Sequence, residues 1–133
     1  NKGLAGAPAE AVAATRATAT NPVVAEAFAL AIIADGEGPA YPGMGRAPVD
    51  LAAAHRDARA IDAATAELTR IVPDAGSYVS ESNFFNPHWQ RSYWGAHYRR
   101  LQAIQRKYDP DGLFFVHHGV GSDAWSADGF TPA

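Results

Sequence analysis

The longest stretch of this chain without glycine or proline runs from Val49 to Val72, and it is the segment whose fold is most constrained. Leu51, Ala54, Ala58, Ile61, Thr65, Leu68 and Val72 recur at alternating steps of three and four residues, the repeat that lines one face of an α-helix. Asp50 stands where a side-chain oxygen caps the first free amides. Arg56, Asp57, Arg59, Asp62, Glu67 and Arg70 take the other face, where such charges solvate a helix rather than catalyse; a pair such as Arg59 with Asp62 adds about 0.2–0.5 kcal/mol. Pro73-Asp74-Ala75-Gly76 ends the element, because proline cannot continue the ladder and glycine permits a left-handed turn.

Upstream, the alanine-rich run predicts a short helix over Ala9 to Ala17, and Asn21-Pro22 punctuates after it. Val23 to Ala34 then ends in Phe28-Ala29-Leu30-Ala31-Ile32-Ile33-Ala34 without polar alternation, which fits a strand covered on both faces better than the alternative of a buried helix. From Asp35 to Pro48 the density of glycine and proline forbids a regular element and predicts an irregular loop. Downstream, Ser77 to Glu81 reads as a short extended stretch. A helical region starts near Pro87, carries Trp89, Tyr93 and Trp94, and is broken at Gly95. Its second half puts Tyr98, Leu101, Ile104 and Tyr108 on one face, and Asp109-Pro110-Asp111-Gly112 stops it. Leu113 to Val116 reads as a brief strand and Gly119 to Ala133 as a coil tail. The expected fold class is therefore α+β.

With 133 residues, 47% of them hydrophobic, the chain has the size and composition of one globular domain. A net charge of -3 leaves no basic stripe for a polyanion, so nucleic acid is not an expected partner. No cysteine is present, which excludes disulfides and thiolate zinc sites. The most apolar run, Ala25 to Ala34, is interrupted by Glu26 and falls short of the roughly 20 residues a membrane helix needs. The start at Asn1-Lys2-Gly3, without an initiator methionine or a signal-peptide layout, reads as a cut inside a longer protein.

Four pieces of sequence fall in order between Gly76 and Val120: Tyr78-Val79-Ser80, Tyr93-Trp94-Gly95, Arg100-Leu101, and Arg106-Lys107-Tyr108-Asp109-Pro110-Asp111-Gly112-Leu113-Phe114. Together they resemble the terminal segment of the berberine-bridge-enzyme-like FAD-linked oxidases, within the vanillyl-alcohol-oxidase type of flavoproteins. That resemblance implies an α+β arrangement. Residues 1–75 would be the later part of a substrate domain, a strand with covering helices, and residues 76–133 the segment that returns to the flavin domain. It implies FAD as cofactor, held mainly by an N-terminal flavin domain outside this chain. It also implies a small-molecule substrate, an alcohol, sugar or secondary metabolite, whose CH–OH or related C–H bond gives hydride to the flavin, with dioxygen as acceptor.

The same resemblance singles out Tyr78 as the residue facing substrate at the flavin ring. An ordinary phenol, with a pKa near 10, needs a carboxylate or cationic neighbour to act as a base at neutral pH. Glu81 is close, but strand alternation would turn it away from Tyr78. Read by residue type alone, Tyr78 fits a packed strand tyrosine equally well. Ser80 stands where relatives carry asparagine and can still make one hydrogen bond to the flavin. Asn83 and His97 depart from the family pattern, and His97 otherwise reads as a surface or capping histidine. His118 aligns with a polar residue lying against the cofactor.

His117 and His118 do not predict a metal site, because neighbours on a strand face opposite ways, and no H-x-x-x-H or H-E-x-x-H spacing exists. Gly36, Gly38, Gly43 and Gly45 do not form a nucleotide-phosphate loop, and Ser122 and Ser126 lack a hydrolase elbow. Trp89, Tyr93, Trp94 and Tyr98 fit helix packing better than a sugar-stacking face. Two further readings stay open. One is a free-standing α+β module that binds a small molecule or carbohydrate through these aromatics; the other is an enzyme half that assembles with a separately encoded flavin domain.

Overall fold

A computed structural model describes residues 4, 6–36, 41–43, 45 and 48–133. Four α-helices follow one another: α1 at Ala9–Thr15, α2 at Leu51–Ile71, α3 at Trp89–Trp94 and α4 at Tyr98–Tyr108. Short 3₁₀ turns lie at Pro22–Ala25, Val79–Glu81, Gly95–His97 and Ser122–Ala124. The chain forms two compact units, one from Asn1–Ala29 with Ala75–Ala133, the other from Leu30–Asp74.

The helices arise where hydrophobic spacing places them. In the smaller unit, α2 begins at Asp50, whose carboxylate accepts from the Ala53 amide at 2.9 Å, and it ends before Pro73. Ala54, Ile61 and Leu68 of its apolar stripe are half-buried, and Arg70 pairs with Glu67 at 3.1 Å on the exposed side. In the larger unit, Gly95 separates α3 from α4 with φ 54° and ψ -135°, a conformation that favours glycine. Parts of the expected loop, at 37–40, 44, 46 and 47, lie outside the described residues.

The strands do not form. Among the described residues the architecture is helical, with one isolated antiparallel bridge between Trp125 and Pro132. The expected strand at Val23–Ala34 becomes the 3₁₀ turn at Pro22–Ala25 followed by irregular chain, and Phe28 is 85% exposed. A doubly covered strand requires pairing neighbours for its amides and carbonyls, and no described segment supplies them. Instead, Asn21 accepts from the Val23 amide and Pro22 starts the turn. Val79–Glu81 is likewise a 3₁₀ turn rather than extended chain.

The expected strand at Leu113–Val116 is bent by Asp109, whose two carboxylate oxygens accept from the Leu113 amide at 2.8 Å and the Phe114 amide at 3.1 Å. These bonds satisfy amides that a strand would offer to a ladder. The expected coil tail is also partly ordered, through the turn at Ser122–Ala124 and the bridge that follows.

Among the described residues two large hydrophobic side chains are buried, Trp89 at 7% and Tyr93 at 6% exposure, one turn apart on α3. Gly112 completes the turn after α4 at φ 65°, and a methyl group there would lie 2.5 Å from the Trp125 ring. Gly112→Ala should therefore destabilise the chain by about 1–3 kcal/mol through overpacking and an unfavourable φ. The measurement is the urea midpoint at unchanged slope; an unaltered midpoint would show that the turn and the Trp125 ring relax freely.

Candidate functional site

The three residues singled out from the sequence all lie in the larger unit, at two separate places. Tyr78 flanks the Val79–Glu81 turn in an extended conformation, φ -82° and ψ 114°, and is 54% exposed. Its carbonyl accepts from the Glu81 amide at 3.1 Å, while among the described residues nothing engages its hydroxyl. Ser80 is exposed within the same turn. Because the segment is a 3₁₀ turn, the alternation that would set Glu81 opposite Tyr78 does not apply.

His118 lies in a four-ring stack. Phe84 and His117 have ring centroids 4.1 Å apart at 13°, His117 and His118 are 3.8 Å apart at 30°, and His118 and Trp89 are 5.2 Å apart at 13°. The edge of Tyr98 closes on Trp89 at 5.3 Å. The expectation that His117 and His118 point to opposite faces is overturned: His118 has φ 57°, so the chain turns and brings both imidazoles together. His117 Nε2 lies 3.2 Å from the Phe84 carbonyl, which can only accept, so Nε2 carries the proton in this bond. Burial, and after it the nearby His117, lower the pKa of His118 from its ordinary value.

A shallow cleft of about 250 Å³ opens beside this stack, lined by Trp89, Phe115, His117, His118, Asp123 and Trp125 among others. Tyr98 donates from its hydroxyl to Asp123 Oδ1 at 2.6 Å, and Gln102 Nε2 donates to the same carboxylate at 3.0 Å. Burial, then the bond to Asp123, push the Tyr98 phenol well above its usual range, so it serves as a fixed donor and not a base. Phe84, Asp123 and Trp125 were not legible as site residues in the sequence. Nothing in local spacing links Phe84 to His117, and Asp123 and Trp125 fall in what reads as a coil tail.

No hydrogen bond or ring contact joins Tyr78 or Ser80 to His118 among the described residues. His97 acts as a structural tie, its Nδ1 lying 3.0 Å from the Thr20 carbonyl. Trp89 and Tyr93 are packed rather than presented, as helix packing requires. Among the described residues, no group of three or more His, Cys, Asp or Glu could hold a metal ion, and no helix is long and apolar enough to cross a membrane.

Residues 77–121, which contain Tyr78, Ser80, the four-ring stack and α4, match the family described as berberine and berberine-like. The chain is 41% identical over 66 residues to an uncharacterized FAD-linked oxidoreductase of Arthroderma benhamiae, covering 50% of this chain and 11% of that protein. It is 36% identical over 81 residues to a VAO-type flavoprotein oxidase of Thermothelomyces thermophilus, covering 61% and 14%. A flavin-dependent oxygenase of Aspergillus ustus is 44% identical over 57 residues, covering 43% and 10%. The chain thus spans only a small part of the length of these curated relatives. No solved structure matches it. These relatives fall in one class, the FAD-linked and flavin-dependent oxidoreductases. Within this chain, residues 77–121 carry a segment of the berberine and berberine-like family, and relatives that share it are FAD-linked.

The lowered pKa of His118 has a definite consequence for stability. The fold favours the neutral imidazole, so its contribution is complete above the ordinary histidine value near 6.5 and declines as pH falls below it toward the folded value. The urea midpoint should drop as pH falls below about 6.5, and drop less in His118→Asn, which tolerates the left-handed backbone. Equal slopes in both proteins would show that His118 is not responsible.

Proposed function

We propose that this chain forms the terminal part of an FAD-linked oxidase that removes hydride from a CH–OH or related C–H bond of a small molecule. Residues 1–75 belong to its substrate domain and residues 76–133 to the segment that returns to the flavin domain. The observation that carries this reading is the family match over 77–121, with the Tyr78 phenol exposed and unengaged inside it. FAD, when bound, supplies the hydride acceptor, which dioxygen then reoxidises. Substrate identity is left to a domain that this chain only partly includes.

The residues present suit a flat polar heterocycle. The Ser80 hydroxyl and the His118 imidazole are hydrogen-bonding groups on the matched segment, and Phe85 and Phe114, both exposed, add apolar surface near them in sequence. Ser80 and His118 would contact the cofactor. Tyr78 would hold the hydroxyl proton of the substrate at its Oη, orienting the C–H bond that breaks. The exposed apolar side chains of the larger unit, Leu113, Phe114 and Phe130 among them, support docking onto the N-terminal flavin domain of the parent protein. The burial of Trp89 and Tyr93 weighs against a free-standing module that would use these rings as an open platform.

In the complete flavin-loaded enzyme, Tyr78→Phe should slow anaerobic flavin reduction by about 10²–10⁴-fold, the range of general acid–base catalysis. Stopped-flow absorbance of the flavin measures it. Reduction at the parent rate would remove Tyr78 from the chemistry.

A further inference from the structure

Among the described residues one polar side chain is buried, that of Asn21, at 7% exposure. Burying an amide is unfavourable unless its hydrogen bonds are replaced, and here they are. Asn21 Oδ1 accepts from the Val23 amide at 3.2 Å, while Nδ2 donates to the Ser92 carbonyl at 2.9 Å and approaches the Arg91 carbonyl at 3.4 Å. Arg91 and Ser92 lie in the last turn of α3; the Arg91 carbonyl takes the Gly95 amide, and the Ser92 carbonyl is met from outside the helix. The Ser92 carbonyl also accepts the Ser77 amide at 2.8 Å. One oxygen therefore joins Asn21 to the residue immediately before Tyr78.

The surrounding backbone is shaped to this amide. A methyl group on Gly76 would lie 2.7 Å from Val23 Cγ1 and 2.9 Å from Asn21 Nδ2; on Gly95 it would lie 2.6 Å from Asn21 Oδ1. On the far side of Tyr78 the turn is closed by the Glu81 amide and by the Ser77 and Ser82 hydroxyls, 3.0 Å apart. The Tyr78 phenol is thus exposed on a backbone held from both sides.

We propose that Asn21 is the positioning residue for Tyr78, acting through the shared Ser92 carbonyl. Its functional consequence rests on the reading of Tyr78 as the substrate-facing phenol. An apolar residue of similar size could fill the space, but it could not donate to a helix end that also receives Ser77. A small misplacement of an oriented group costs as much as about 10²-fold in rate, which is the scale of effect expected.

The test uses Asn21→Asp in the complete flavin-loaded enzyme. The carboxylate can still accept from Val23 but cannot donate to Ser92 when ionised. Amide exchange at Ser77 should accelerate at least about tenfold, α4 should stay protected, and flavin reduction should slow by about 10²-fold. In a Tyr78→Phe background the same substitution should cost less than about twofold, the non-additivity of residues that act as a unit. Gly76→Ala, which crowds the intact amide, repeats the comparison if Asn21→Asp does not fold. Unchanged exchange at Ser77, or independent multiplicative losses in the double variant, would overturn the proposal. If Tyr78→Phe alone leaves reduction unaltered, it is the phenol's catalytic role that fails, and the exchange measurement still decides whether Asn21 holds Tyr78 in place.

Discussion

The order of the larger unit depends on how α3 is buried and closed. A helix this short is unstable by itself, because nucleation is costly and few hydrogen bonds repay it. Trp89 and Tyr93 provide the buried apolar surface, one helical turn apart. The end of the helix is then completed from outside by Asn21 and Ser77, which meet at the Ser92 carbonyl. Segments distant in sequence are thereby brought to one short helix.

Around this helix, directional bonds and ring contacts do much of what an extensive core does in larger domains. Arg100 donates to the Thr18 carbonyl at 2.6 Å, and Tyr98 and Gln102 converge on Asp123. The imidazole of His118 rests on the Trp89 ring. This arrangement leaves Phe85, Leu113, Phe114 and Phe130 exposed while holding the backbone of the matched segment in defined turns.

Helices were legible in the sequence and strands were not, for one physical reason. Asp50 and the apolar spacing of α2 act within a single element, as does the break at Gly95, so their effects can be read along the chain. A strand is decided by its neighbours. Without pairing segments, Val23 and Leu113 follow the local bonds made by Asn21 and Asp109. The placement of the paired histidines shows the same limit, since strand alternation would separate them and a left-handed residue at His118 joins them.

The sequence by itself determined the helical segments and the ordered motifs of the berberine-like stretch, because these depend on residues close together in the chain. Only the tertiary structure decided that His118 stacks on Trp89, that Asp123 anchors Tyr98, and that Asn21 reaches the backbone beside Tyr78. Those contacts join positions far apart in sequence. Their geometry follows from how α3 is packed and its end satisfied, which no local spacing encodes.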